Sequence, residues 1–181
     1  MHPASAWEPA PNPADLAAPV ARDLPGGYIE LRSDANRYWA VLPSDPETYR
    51  LVAEVIAGEL AFTIKTPRGG RPGVGTGLFG LMWAKLGGRA NSIHSSWVTR
   101  DPAIPGQALD TNLKQFNAAY QKYRAAGMGV MDAQRAAAVD TWTGKRAKNL
   151  GFTKITIPVA LGSDGDWNTV EVVFSSRGIS A

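Results

Sequence analysis

Apolar and polar positions alternate along this chain with two different periods, and the change of period marks the elements. Tyr28 to Leu31 and Tyr38 to Leu42 read as short strands. Asp45-Pro46 then offers an N-cap and a first-turn proline. Tyr49, Val52, Ile56 and Leu60 follow at steps of three and four, which predicts a helix with one buried stripe. Ala61 to Ile64 read as a brief strand. Eight glycines between Pro67 and Gly88 predict a loop over Gly69 to Gly77. Residues 92–99 form a candidate strand. Leu109, Leu113, Phe116, Tyr120 and Tyr123 predict a helix over about Ala108 to Ala125, its aromatic stripe facing the core. A second, alanine-rich helix is predicted over about Asp132 to Leu150, with Lys145, Arg146 and Lys148 near its end. Ile155, Ile157, Val159 and Leu161 alternate with Lys154, Thr156, Pro158 and Ala160, as in a half-buried strand. Pro158 marks an edge or a bulge. Residues 162–168 predict a polar turn, and Thr169 to Phe174 a last strand. Helices set among antiparallel strands predict an α+β fold.

Composition narrows the chemistry. The 181 residues are 44% apolar and 19% charged, a globular balance. Residues 1–25 hold six of the thirteen prolines and read as a disordered linker, leaving 26–181 as a single domain. A domain behind such a linker is expected at the C-terminal end of a longer protein. The first twenty residues lack the basic start and apolar core of a secretory signal. No apolar run approaches the roughly 18 residues of a membrane span. The absence of cysteine excludes disulfides, thiolate metal sites and a cysteine nucleophile. With only His2 and His94, a histidine-rich metal site is not expected. A net charge of +3 permits a dinucleotide or a nucleic acid as partner without demanding either.

Three segments carry candidate chemistry. Glu171 sits inside the apolar run Val170, Val172, Val173, Phe174, where a carboxylate either faces solvent by alternation or points into a cleft. Arg32, followed by Asp34 and Arg37, forms either a structural ion pair or a bidentate fork for phosphate. Asn91 to Asp101 crowds Ser92, Ser95, Ser96 and Thr99 around His94 and Trp97; such hydroxyls decorate an exposed face or line a site. The glycine-rich GVGTGLFG run is no Walker loop, because no Gly-Lys-Ser/Thr closes it.

In order, Leu31-Arg32-Ser33-Asp34, Thr66-Pro67-Arg68-Gly69, Ser96-Trp97-Val98-Thr99-Arg100-Asp101 and Glu171-Val172-Val173-Phe174 with Gly178-Ile179 resemble the mono-ADP-ribosyltransferase toxins. The likeness is to the arginine–serine–glutamate branch, with the cholera-like and pierisin-like toxins. The resemblance implies a split antiparallel β core with inserted helices, NAD as substrate and no metal. It implies Glu171 as the catalytic carboxylate, Ser96 or Thr99 as the hydroxyl that orients it, and Arg32, buttressed by Asp34, on the NAD phosphates. Ser95 and Trp97 would line the NAD site, with Trp97 stacking on nicotinamide. Trp167 and Thr169 would meet the acceptor, a nucleic acid or a protein. Thr169 stands two residues before the glutamate, where enzymes of this branch that act on arginine or guanine carry Glu or Gln. A secreted or delivered, monomeric toxin domain acting in the target-cell cytoplasm is implied, with an immunity protein as its partner and no membrane. Two other readings stay open: a metal-independent ribonuclease using His94 with Lys145 or Arg146, and a non-catalytic binding module.

Overall fold

The computed structural model describes residues 20–24 and 27–33 as backbone, and residues 37–41, 49–66, 73–99 and 110–176 with their side chains. The chain divides into two compact units between Ala90 and Asn91. Each unit packs strands against helix, and the class is α+β.

The first unit is an antiparallel meander of β1 (Val20–Leu24), β2 (Gly27–Ser33), β3 (Arg37–Val41), β4 (Arg50–Ile56) and β5 (Glu59–Lys65), each strand paired with the next. Helix α1 (Val74–Leu86) covers one face, burying Val74, Leu78, Phe79 and Met82 near Tyr38, Ala40, Leu51, Ala53 and Leu60. Phe79 meets Phe62 edge-on at 5.4 Å between ring centroids.

Three expectations are corrected in this unit. The helix predicted from Tyr49, Val52, Ile56 and Leu60 is the β4–β5 hairpin. The burial has period two, with Leu51, Ala53 and Val55 inside and Ile56 61% exposed. Ala57 and Gly58 have φ of 51° and 81°, the left-handed pair that a two-residue hairpin of matching twist requires. Helix α1 runs through Gly75 and Gly77, where a loop was predicted. Its stability comes from burying one apolar face, and that burial overrides poor glycine propensity. Val20–Leu24, predicted as linker, pairs along β2 with Val20 opposite Leu31. A five-residue strand bracketed in sequence by Pro19 and Pro25 is compatible with proline, which is tolerated at strand ends. Residues 1–19 of the predicted linker lie outside the described residues.

The second unit comprises β6 (Ser92–Val98), α2 (Thr111–Ala125), α3 (Val130–Asp140), α4 (Trp142–Asn149), β7 (Lys154–Ser163) and β8 (Asp166–Ser175). β8 lies between β6 and β7, antiparallel to both. Ile93 and Trp97 of β6 and Val170, Val172 and Phe174 of β8 are buried, as are Leu113, Phe116 and Tyr120 of α2 and Ala133, Ala137 and Ala138 of α3. Asp110 starts α2, its carboxylate accepting from Asn112 N (2.8 Å) and Leu113 N (3.2 Å). A cap of this kind contributes about 1 kcal/mol.

The single helix predicted over Asp132 to Leu150 is broken at Thr141. Thr141 Oγ1 donates to Ala138 O (2.7 Å) and accepts from Gly144 N (2.9 Å), closing one helix and opening the next. The N–H groups of Trp142 and Thr143 donate to Gln115 Oε1 (2.6 Å) and Asn112 Oδ1 (3.0 Å) of α2. The first-turn donors of α4 are thereby satisfied by α2, which seats the short helix.

The strands β7 and β8 run longer than predicted, and only Asp164-Gly165 remains of the turn. Helix α2 holds it: Tyr120 OH donates to Asp164, and Gln121 Nε2 donates to Gly165 O (2.8 Å). Pro158 lies in a register shift between Thr156 and Val159, on the outer strand of this unit.

The tyrosines make stability pH-dependent. Burial, then the Asp164 carboxylate, raises the Tyr120 pKa above its ordinary 10.0. The hydrogen bond to Asp140 (2.7 Å), then burial, raises that of Tyr123. Each folded value exceeds the unfolded one, so this stability is complete below about pH 10 and is lost as pH rises through the folded values. The thermal midpoint is therefore expected to fall on titration above about pH 10, and Tyr120→Phe to flatten that fall. A Tyr120→Phe variant with the wild-type pH profile would contradict the assignment.

Candidate functional site

Strand register decides which candidates meet. In β6 and β8, Ser96 lies directly opposite Glu171, His94 opposite Val173 and Val98 opposite Thr169. The alternate residues Ser95 and Trp97 lie opposite Val172 and Val170 on the other face. Successive strand residues point to opposite faces. That second face is the core: Trp97 is 2% exposed, with its ring 5.9 Å from that of Phe116 in α2. His94, Ser96, Thr169 and Glu171 accordingly share the face turned away from the helices of this unit.

On that face, His94 Nε2 stands 3.9 Å from Glu171 Oε2. The separation suits a charge interaction and exceeds a direct hydrogen bond. The two side chains are 30% and 35% exposed, and His94 Nε2, the atom nearest the carboxylate, is itself buried. Ser96 is exposed beside them. The carboxylate can hold a hydroxyl and stabilise a cation, with the imidazole beside it.

The structure separates other candidates from this group. Ser95 and Trp97 are buried in the core, so neither faces a ligand held by Glu171 without leaving its packing. Thr99 follows β6, and its N–H donates to Asn168 O (2.7 Å). It lines a hollow of about 360 Å³ together with Trp167, Asp166 and Lys114, at the start of α2. Of the two hydroxyls weighed for orienting Glu171, Ser96 is therefore the neighbour and Thr99 is not. A second register shift explains Trp167. Leu161 pairs with Thr169 but Gly162 with Trp167, which leaves Asn168 as an extra residue in β8. One extra residue turns the next side chain to the opposite face. Trp167 thereby packs edge-on against Tyr120 at 5.8 Å, and exchanges backbone hydrogen bonds with the Asn117 amide (3.0 and 3.2 Å).

Arg32 lies in β2 opposite Trp39, and its side chain is outside the described residues, as is Asp34. The islands at residues 67–69, 100–101 and 178–179 are outside them too. Arg37 donates from Nε to Glu54 Oε1 (3.5 Å), its directly opposed partner in β4. Lys145 and Arg146 lie on α4, where the Arg146 guanidinium sits 5.2 Å from the centre of the Trp142 ring. They are on the helix layer, away from His94. Sequence reasoning missed the His94–Glu171 contact, whose only signal is a strand register that cannot be read locally.

Among the described residues, no group of three or more His, Asp or Glu gathers as a metal site. No helix among them is long and apolar enough to cross a membrane. No protein-family model matches the sequence, and no curated protein matches it.

Proposed function

We propose that this chain is an NAD-dependent mono-ADP-ribosyltransferase of the arginine–serine–glutamate kind, with the split antiparallel core of that family. The reading makes it a delivered toxin or effector domain. It would act as a monomer on a nucleic acid or protein in the target-cell cytoplasm, and an immunity protein would neutralise it. The observation that carries this reading is the direct opposition of Ser96 and Glu171 on adjoining strands.

In this chemistry the C–N bond between ribose and nicotinamide breaks, and its electron pair leaves with the nicotinamide nitrogen. The ribose passes through an oxocarbenium-like state, as in glycoside cleavage. Glu171 stabilises that positive charge and accepts a hydrogen bond from a ribose hydroxyl. Ser96 donates to the carboxylate and holds its rotamer. The acceptor nucleophile forms the new bond to the ribose carbon and gives its proton to solvent. Arg32, with Asp34, takes the NAD phosphates, and Thr169, on the same face as Glu171, meets the acceptor; Trp167, turned to the helix side, takes no part. NAD is a substrate here, and no metal enters the scheme.

A specific observation favours a second reading. The 3.9 Å approach of His94 to Glu171 suits metal-independent RNA cleavage. There, a carboxylate takes the 2′-hydroxyl proton and an imidazole protonates the leaving oxygen. This version replaces Lys145 and Arg146 with Glu171 as the partner of His94.

Two assays on purified protein separate the readings. Nicotinamide release from NAD, abolished in Glu171→Gln and retained in His94→Ala, supports the transferase. RNA cleavage without NAD, abolished in both variants, supports the nuclease and overturns the transferase.

A further inference from the structure

From Thr141 to Ser163 the chain holds Lys145, Arg146, Lys148 and Lys154 and no acidic residue. These four cations fall on α4 and the first residue of β7. Lys145, Lys148 and Lys154 are all exposed. None of the three pairs with a carboxylate among the described residues. Lys145 and Lys148, three apart on a helix, share a face. The chain then folds back, with Phe152 N donating to Ala147 O (3.0 Å), and Lys148 and Thr153 line one hollow. The end of α4 is thus brought beside the start of β7, where Lys154 stands.

Helix electrostatics accounts for only part of this. A helix C-terminus favours cations within its last turn, and only Arg146 and Lys148 lie there. Lys145 precedes that turn and Lys154 lies beyond the helix. Like charges on a stretch of chain that carries no acidic residue repel one another, and a polyanion relieves that repulsion. We infer that this surface binds the phosphodiester backbone of a nucleic acid.

The residues between the lysines decide among polyanions. Asn149, Gly151 and Thr153 are exposed and small or hydrogen-bonding. The large exposed apolar side chains, Ile56, Val98, Val130, Met131 and Leu161, all lie outside residues 141–156. A lipid surface would need apolar anchors among the cations. Phosphate contacts need only charge and small polar donors. This surface would serve either chemistry proposed above, and it stands or falls separately from Glu171.

The test uses the full chain without NAD. Fluorescence anisotropy follows binding of a labelled single-stranded RNA of about 20 nucleotides, and of DNA of the same sequence, while salt is titrated. Three lysine–phosphate contacts predict a slope of log affinity on log salt of about −2. The variant K145E/K148E/K154E is expected to bind at least about tenfold more weakly at low salt, with a flattened slope. A control, K85E/K122E/R135E, carries the same charge change elsewhere and should keep the wild-type affinity. If the triple Glu variant fails to fold by circular dichroism, the Lys→Gln triple replaces it, with the same loss expected. RNA and DNA bound alike identify the backbone as the ligand, and a preference for one names the source. Three results overturn the inference: a folded triple variant that binds like wild type, an equal loss in the control, or binding to phosphatidylserine vesicles with neither nucleic acid bound.

Discussion

Glutamine at position 171 is expected to lower nicotinamide release from NAD by about 100- to 1,000-fold, the cost of removing one group aimed at charge that develops only in the transition state. The exchange keeps the shape of the side chain and removes its negative charge. Glu171 is 35% exposed and lies on the face turned away from the core of its unit, and glutamine fills the same volume. The melting temperature should accordingly stay within about 2 °C of wild type, as for surface substitutions generally. An unchanged rate in a folded Glu171→Gln protein would remove the carboxylate from the chemistry. Loss of rate with loss of folding would say only that the strand had been disturbed, and circular dichroism distinguishes the two.

Gly144→Ala is expected to be the most destabilising single-methyl change in the second unit. Gly144 sits in the first turn of α4, where its N–H is capped by Thr141. A Cβ there would lie 2.8 Å from both Val139 Cα and Val139 O, and closer still to Ala138 O. All three are backbone atoms, so no flexible side chain can swing aside. Either α4 moves off α3 or the Thr141 cap opens, and both loosen the contacts to Gln115 and Asn112. Overpacking against a rigid wall costs about 3 kcal/mol, which for a unit of about 90 residues lowers the thermal midpoint by some 12–24 °C. A midpoint within about 2 °C of wild type would show that α4 is not seated as described.

Sequence patterns were most legible where one period had no competitor. Strands β6, β7 and β8 and helix α2 follow their alternation or stripe, and Pro158 falls in a bulge on the outer strand as its chemistry demands. The hairpin of β4 and β5 was hidden because Val52, Ile56 and Leu60 fit a helical stripe while Leu51, Ala53 and Val55 fit a strand. Its turn has Ala57 at a position usually filled by Asn, Asp or Gly, so the local signal was weak. The break at Thr141 depends on Gln115 and Asn112 arriving from α2, a tertiary event with no local trace.

The site was half legible for a related reason. Glu171 stands out as an acid in an apolar strand. Ser95 and Ser96 are adjacent and chemically identical, yet they point to opposite faces, and pairing with a distant strand chooses between them. The same alternation buries Trp97 in the core and places the half-buried His94 beside Glu171. A single extra residue at Asn168 likewise turns Trp167 to the helix side. These are consequences of register, which a one-residue slip would reverse throughout.

Chromatographic measurement of nicotinamide released from NAD by wild type, Ser96→Ala, Glu171→Gln and the double variant tests the opposed pair most directly. Two groups acting as one unit lose activity together. The prediction is release by wild type, a loss in each single variant, and no further loss in the double variant relative to Glu171→Gln. No release by the folded wild-type protein, or independent losses that multiply in the double variant, would contradict it.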